Sequence, residues 1–292
     1  MTIEQSRGLG VWRSPQGEHP SELNSNARRT RRNVVKMGAI LTSAAVASLA
    51  TVKDGAAEDN GEGKDKGKHK GDGGDVHCLM RGTTIKTADG DRKIEELAIG
   101  DLLPTTIGGL RPIQWIARYP LKKSDPSKPW VKGVLPVRIS RSALAPDVPH
   151  TDLYVTGEHS LFLDGLLVPV VNLINGTSIT RDERDCDELE YFNIKLESHD
   201  VIYAEGAAVE TIVNVDESAV NFAEYFRKYG VPEADETRCA PFASYGGGRG
   251  ELKSRIRSAM SPWLDRREPL DVVRDRLEER GVALSRQSET VC

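Results

Sequence analysis

Hydrophobic and polar positions divide the chain into three textures. The first, up to about residue 77, holds a single apolar run at 37–50 within otherwise polar sequence. In the second, short β-like runs are separated by turn signals. Residues 83–87 and 93–95 flank Asp89-Gly90, a dipeptide favoured in hairpins. Further strands are predicted over 112–116, 136–139 and 152–156, and residues 161–163 meet 166–168 across Asp164-Gly165. Strands at 191–196 and 201–204 complete the series. Runs this short and evenly punctuated predict an all-β domain, not a βαβ sheet.

The third texture begins near residue 220 and has helical spacing. Phe222, Tyr225, Phe226 and Tyr229 recur at i, i+3, i+4 and i+7, with Gly230 placed as a C-terminal cap. Leu252, Ile256 and Met260 form a second stripe. A third helix is predicted from Pro269, carrying Leu270, Val273 and Leu277 and stopping at Gly281. All three stripes are read as core faces that pack onto the β domain, with a partner-binding face as the alternative. The glycine-rich stretch 246–250 lacks the Lys-Ser/Thr of a phosphate loop and follows no strand. Asn175-Gly176-Thr177 matches a glycosylation sequon, but is read as an Asn-Gly turn.

Composition changes the picture at the N-terminus. The run at 37–50 is rich in alanine and shorter than the roughly 20 residues a membrane span needs, so no stable span is expected in the mature chain. Basic residues precede it and small ones end it, as in a cleavable export signal. Thr30-Arg31-Arg32-Asn33-Val34-Val35-Lys36 is similar to the motif of twin-arginine signals. That likeness implies a bacterial protein exported by the twin-arginine machinery to the periplasm or beyond, with the signal within residues 1–53. Residues 54–77 are dominated by Gly, Lys, Asp and Glu, have little to bury, and are expected to form a disordered tether. His69 within it is not read as a metal ligand.

With 40 Lys+Arg against 44 Asp+Glu in 292 residues, the net charge of −4 provides no basic surplus for binding nucleic acid. Four cysteines are too few for a disulfide-rich scaffold. No Cys/His spacing has the form of a zinc site, and neither a metal nor a cofactor is predicted.

Candidate chemistry sits at three places: Cys78 where the β texture begins, Thr156-Gly157-Glu158-His159 at the end of a predicted strand, and His199 within Ser198-His199-Asp200. Each alone has a bland structural reading. Together and in this order they resemble the Hint domain, the fold shared by inteins and hedgehog processing domains. Cys78-x-x-x-Gly82-Thr83-x-Ile85 resembles its first block, and residues 94–101 the segment after it. Thr156-x-x-His159 resembles the Thr-x-x-His block, and the stretch from Tyr191 to His199-Asp200-Val201-Ile202 the penultimate block. The resemblance implies a mainly β, disc-like Hint domain over 78–212, followed by a short α-helical extension over 213–292.

It also implies a reaction. Cys78 would attack the carbonyl of His77 and convert the His77–Cys78 amide into a thioester, with water or an unidentified nucleophile as acceptor. Near its ordinary pKa of about 8.5, only a few per cent of a thiol is ionised at pH 7. Amide resonance, with a rotation barrier of about 18–20 kcal/mol, opposes attack further. His159 is expected to protonate the departing Cys78 nitrogen, and the Thr156 hydroxyl or a backbone N–H to hold the oxyanion. His199 is a further catalytic candidate.

No His-Asn pair occurs near Val209-Glu210-Thr211, where splicing would need one, so cleavage without splicing is expected. Cleavage before export would sever the signal from its cargo. An exported, non-processing module on the same fold is therefore a second reading. A secreted hydrolase using Cys78 and His159 on an external substrate is a third. Cys186, Cys239 and Cys292 are open to one disulfide or to none.

Overall fold

The computed structural model describes residues 77–230 and 237–291. The expected signal at 1–53, all of the expected tether except His77, and Cys292 lie outside the described residues.

Among the described residues, fourteen strands and three α-helices follow one another. The strands are β1 (Leu79–Met80), β2 (Thr84–Thr87), β3 (Gly90–Lys93), β4 (Leu102–Thr105), β5 (Gly109–Pro112), β6 (Trp115–Lys122) and β7 (Val137–Ile139). They continue with β8 (Leu153–Val155), β9 (Ser160–Leu163), β10 (Leu166–Pro169), β11 (Ile179–Arg181), β12 (Glu188–Lys195), β13 (Val201–Ala204) and β14 (Ala207–Glu210). The helices are α1 (Phe222–Tyr229), α2 (Gly248–Met260) and α3 (Pro269–Val291). Among the described residues no helix is long and apolar enough to cross a membrane.

Two six-stranded sheets carry the domain, ordered β11-β7-β8-β1-β12-β6 and β10-β9-β14-β13-β2-β3, beside the β4-β5 ribbon. Every named pairing is antiparallel. Two-residue alternation aims one side of each strand inward: Trp115, Ala117 and Tyr119 of β6 are buried, as are Val137 and Ile139 of β7. One cluster joins side chains of both sheets, including Leu79, Val155, Phe192, Leu161 and Val209. Leu270, Val273 and Leu277 of α3 complete it, so α3 packs on the β domain as its stripe predicts.

The register at β1 positions the site. Leu79 pairs with Val155 of β8 on one side and with Phe192 of β12 on the other. The residues next to those partners, Thr156 and Asn193, are thereby brought to the chain just before β1. In the second sheet Val209 of β14 pairs with Leu161 of β9, which brings Glu210 beside the His159-Ser160 segment.

Several elements depart from the sequence pattern. The β2–β3 loop is Ala88-Asp89, with Thr87 paired to Gly90, so the expected Asp-Gly turn is shifted by one residue. Gly90, at φ +111°, opens β3 instead. Of residues 93–95, expected as strand, Ile94 and Glu95 belong to a 3-10 turn over Ile94–Glu96. Asp164-Gly165 does form its hairpin, with both residues at positive φ.

Helix α3 does not stop at Gly281. That glycine is buried against the 175–178 turn, where an added Cβ would meet Thr177 Oγ1 and come within 3.0 Å of Ser178 Oγ. Close approach, not capping, explains it. The Asn175 side chain closes that turn by accepting from the Thr177, Ser178 and Ile179 amides.

The stripe on α2 is a second correction, because Leu252, Ile256 and Met260 are exposed. Hydrogen bonding decides the orientation. The inner face of α2 is polar: Ser254 donates to buried Asp271 of α3, and Arg274 donates to Ser254 at 2.6 Å and to Ser258 at 2.8 Å. Turning α2 over would take the Ser254 donor from buried Asp271 and the Ser254 and Ser258 acceptors from buried Arg274.

Gly281→Ala tests the close approach. Helix propensity alone favours alanine by about 1 kcal/mol, whereas overpacking costs about 1–3 kcal/mol. Urea denaturation is expected to show net destabilisation of about 1 kcal/mol, reversed to a gain when Thr177→Gly removes the opposing side chain.

Candidate functional site

The peptide between His77 and Cys78 is held at both ends. The Cys78 N–H donates to Thr156 Oγ1 at 2.8 Å, and the Thr156 N–H donates back to the Cys78 carbonyl at 2.9 Å. On the other side the Asn193 side-chain amide donates to the His77 carbonyl oxygen. Asn193 is almost fully buried in the apolar strand β12, and its Oδ1 accepts from the Ile194 N–H at 2.7 Å. That internal bond aims the Nδ2 donor at the carbonyl.

This arrangement reassigns Thr156. Its hydroxyl lies at the amide nitrogen, the leaving atom, not at the carbonyl oxygen where an oxyanion would form. The carbonyl side belongs to Asn193, which sequence reasoning missed. A polar residue within Tyr191-Phe192-Asn193-Ile194 was the available signal.

The Cys78 side chain is fully buried among Tyr119, Tyr191, Val215 and Ala219. Burial first, and the Asp216 carboxylate second, push its thiol well above the ordinary range. At neutral pH it is therefore a protonated thiol. Tyr119 Oη lies 3.4 Å from Asp216 Oδ2, and the Tyr191 hydroxyl donates to the Val134 carbonyl at 2.8 Å. Burial raises both phenols, so they remain hydrogen-bond donors.

His159 follows Thr156 in a tight turn, its N–H donating to the Thr156 carbonyl at 3.2 Å. The ring is fully buried, and neither ring nitrogen has a partner at hydrogen-bond distance. Desolvation lowers its pKa to about 4, against an opposing influence of Glu210 and of the His77 backbone beside it. The resting imidazole is neutral at pH 7. It can take a proton, but does not hold one to give.

Glu210 is the hub of the remaining polar groups, and the sequence reading missed it as well. Its Oε1 accepts from His77 Nδ1 at 2.8 Å and from the Ser160 N–H at 2.9 Å. Its Oε2 faces His199 Nε2 and Arg238 Nη1, both at 3.5 Å. Burial alone would raise this carboxyl, but His199 and His77 overcome burial and hold it well below the carboxylate range. The Cys239 N–H donates to His199 Nδ1 at 3.0 Å, which leaves Nε2 carrying the proton toward Glu210. His199 thus acts on Glu210, one residue removed from the peptide. The signal for Glu210 was its place, at the position where a splicing domain needs its terminal pair.

A cavity of about 230 Å³ opens on the His77 side, bounded by Glu210, Ile212, Asn214, Asp216 and Arg238. A larger one of about 470 Å³ touches Thr156, Tyr119 and Tyr191 on the other side. Among the described residues no three His, Cys, Asp or Glu side chains converge as a metal site. Cys78, Cys186 and Cys239 are free thiols.

The family model described as "Hint domain" matches residues 77–216, from the residue before Cys78 to Asp216. No curated protein matches the chain. Among solved structures, the gp41-1 intein is 16% identical, with 45% of this chain and 96% of the intein covered and a TM-score of 0.32. A bacterial intein-like domain from Clostridium thermocellum is 12% identical, covering 47% and 99%, with a TM-score of 0.32. A DnaB intein from Synechocystis sp. PCC 6803 is 11% identical, covering 47% and 99%, with a TM-score of 0.30. The fold is a mainly β Hint fold followed by short helices.

The buried neutral His159 makes stability depend on pH. Its folded pKa of about 4 lies below the ordinary 6.5, so the unfolded chain binds the extra proton. Stability is complete above pH 6.5 and falls as pH drops from 6.5 toward 4, by about 3 kcal/mol from this group. Urea midpoints measured across that window should decline, and His159→Gln should flatten the decline.

Proposed function

We propose that the Hint domain cleaves its own chain at His77–Cys78, once per molecule, by an N-to-S acyl shift and without splicing. One observation carries this reading: the peptide before Cys78 is hydrogen-bonded at its oxygen by Asn193 and at its nitrogen by Thr156. A donor aimed at the carbonyl oxygen stabilises charge that develops there only in the transition state. The Thr156 hydroxyl at the nitrogen holds the amide in place and stays within reach of the leaving amine.

In the proposed reaction the Cys78 thiol loses its proton to neutral His159 as Sγ attacks the His77 carbonyl carbon. An S–C bond forms, and the oxyanion is held by Asn193. The C–N bond then breaks, with His159 returning the proton to the Cys78 nitrogen. Water attacking the thioester yields a His77 carboxylate and frees the Cys78 thiol beside a new N-terminal amine. His159 is thus base first and acid second, which its low pKa permits. Glu210 fixes the His77 ring, and hence the carbonyl, through the 2.8 Å bond. His199 holds Glu210.

The raised thiol pKa supports slow chemistry, consistent with a domain behind an export signal that has to stay attached through transport. Export through the twin-arginine machinery to the periplasm or beyond is part of the same proposal. The same buried thiol supports the second reading, a non-processing exported module. The hydrolase reading is disfavoured, because the Cys78 and His159 side chains are both fully buried.

Intact mass after incubation with dithiothreitol separates the readings. A fragment beginning at Cys78, absent in Cys78→Ala, is expected; an unchanged mass after long incubation at alkaline pH would favour the module. Asn193→Ala should slow cleavage by about 100-fold with the fold intact. The rate should be flat across neutral pH, where His159 is neutral and the Cys78 thiol protonated, and should fall as pH drops toward 4 and His159 takes up a proton. A rate climbing close to tenfold per pH unit from pH 7 upward would show attack by the free thiolate instead of deprotonation by His159.

A further inference from the structure

Helix α2 is built with its polarity reversed. Of its residues only Ser254 is buried. Toward α3 it presents Ser254, Arg257 and Ser258, which bond to Asp271 and Arg274. Away from the protein it presents Leu252, Ile256 and Met260, four residues apart on one line and 60%, 51% and 49% exposed. The turn that follows adds Trp263, 84% exposed, and Leu264 at 46%. A run of large apolar side chains turned to solvent marks an interaction surface.

The charges around it select the partner. Residues 248–267 carry six cations (Arg249, Lys253, Arg255, Arg257, Arg266, Arg267) against two acids, Glu251 and Asp265, in a chain whose net charge is −4. Arg255, Arg257 and Arg267 are engaged by Glu251, Glu278, Asp271, Asp265 and Asp275. Arg249 and Lys253 are exposed and share the outer face with Leu252 and Ile256. The core of a protein–protein interface is depleted of charged residues, lysine among them. A bilayer surface accepts this mixture. Apolar side chains enter the acyl boundary, the stems of Lys and Arg follow them, and the cationic heads stay with anionic headgroups. Tryptophan favours the same depth, with its ring in the apolar layer and its N–H wet.

We infer that α2 and the turn through Leu264 form a peripheral binding site for an anionic lipid bilayer, lying in the plane of its surface. The site does not depend on the chemistry at Cys78. It would hold the Hint domain against a membrane whether or not cleavage takes place.

The test is co-sedimentation of the full chain with phosphatidylcholine vesicles, with and without phosphatidylglycerol. Binding is expected to require the anionic lipid and to weaken as salt is raised. Replacing Leu252, Ile256, Met260 and Trp263 together by Ser should weaken it about tenfold or more, with the far-UV circular dichroism unchanged because these side chains are exposed. Arg249→Glu with Lys253→Glu should weaken it while leaving the apolar face intact. The blue shift in tryptophan emission on vesicle addition should vanish in Trp263→Phe. Equal vesicle binding by the parent and the fourfold variant would overturn the proposal and assign any binding to the apolar run at 37–50. A parent chain that ignores the vesicles would overturn it too. If that chain self-associates in sedimentation velocity while the variant stays monomeric, the face belongs to a second copy.

Discussion

A strand of two residues holds the site together. β1 is wedged between β8 and β12, and pairing on both edges leaves the residue just before it no freedom of register. A shift of one residue would turn Leu79 out of the core and Cys78 away from the aromatic pocket, since successive side chains point to opposite faces. Because both edges are fixed, the polar residues flanking the pairing partners converge on one peptide. Thr156 follows the β8 partner Val155, and Asn193 follows the β12 partner Phe192. The hydrogen bonds to each end of the His77–Cys78 amide are consequences of that register.

Around this peptide the domain separates two electrostatic environments. On the sulfur side, aromatic and aliphatic walls exclude water and keep the thiol protonated. On the His77 side, buried Glu210 gathers His77, His199, Arg238 and the Ser160 amide. Such a charge is tolerated only when its partners are in place, so these contacts stand or fall as a group. His159 lies near Glu210 and His77, desolvated, with neither ring nitrogen hydrogen-bonded. Its unmade hydrogen bonds are a cost to stability.

The C-terminal extension obeys a different rule on each helix. α3 buries Leu270, Val273 and Leu277 against the β domain, the ordinary outcome for an apolar stripe. α2 has a stripe of similar spacing, yet it lies on α3 with its polar face inward. The difference comes from buried Asp271 and Arg274, which require hydrogen-bonding partners more strongly than three aliphatic side chains require burial. Buried charged groups need hydrogen-bond partners, and Ser254 and Ser258 supply some of those of Asp271 and Arg274.

Strand texture, the Asp164-Gly165 hairpin, the Cys78 position and the Thr156-x-x-His159 spacing were all legible in the sequence. Each depends on residues close together in the chain, and two-residue alternation or a turn dipeptide leaves a local mark. The Hint fold was legible through the resemblance of its motif blocks, and the succession of helices through their local spacing. Asn193, Glu210 and the orientation of Thr156 were not legible. They come together from strands separated by tens of residues, and only strand order and register place them on one peptide. The end of α3 and the face of α2 were hidden for the same reason: Gly281 and the stripe at Leu252, Ile256 and Met260 look like a cap and a core face until the groups opposite them are known. Local pattern settles which elements form, whereas the chemistry of each element's buried neighbours settles which way it faces.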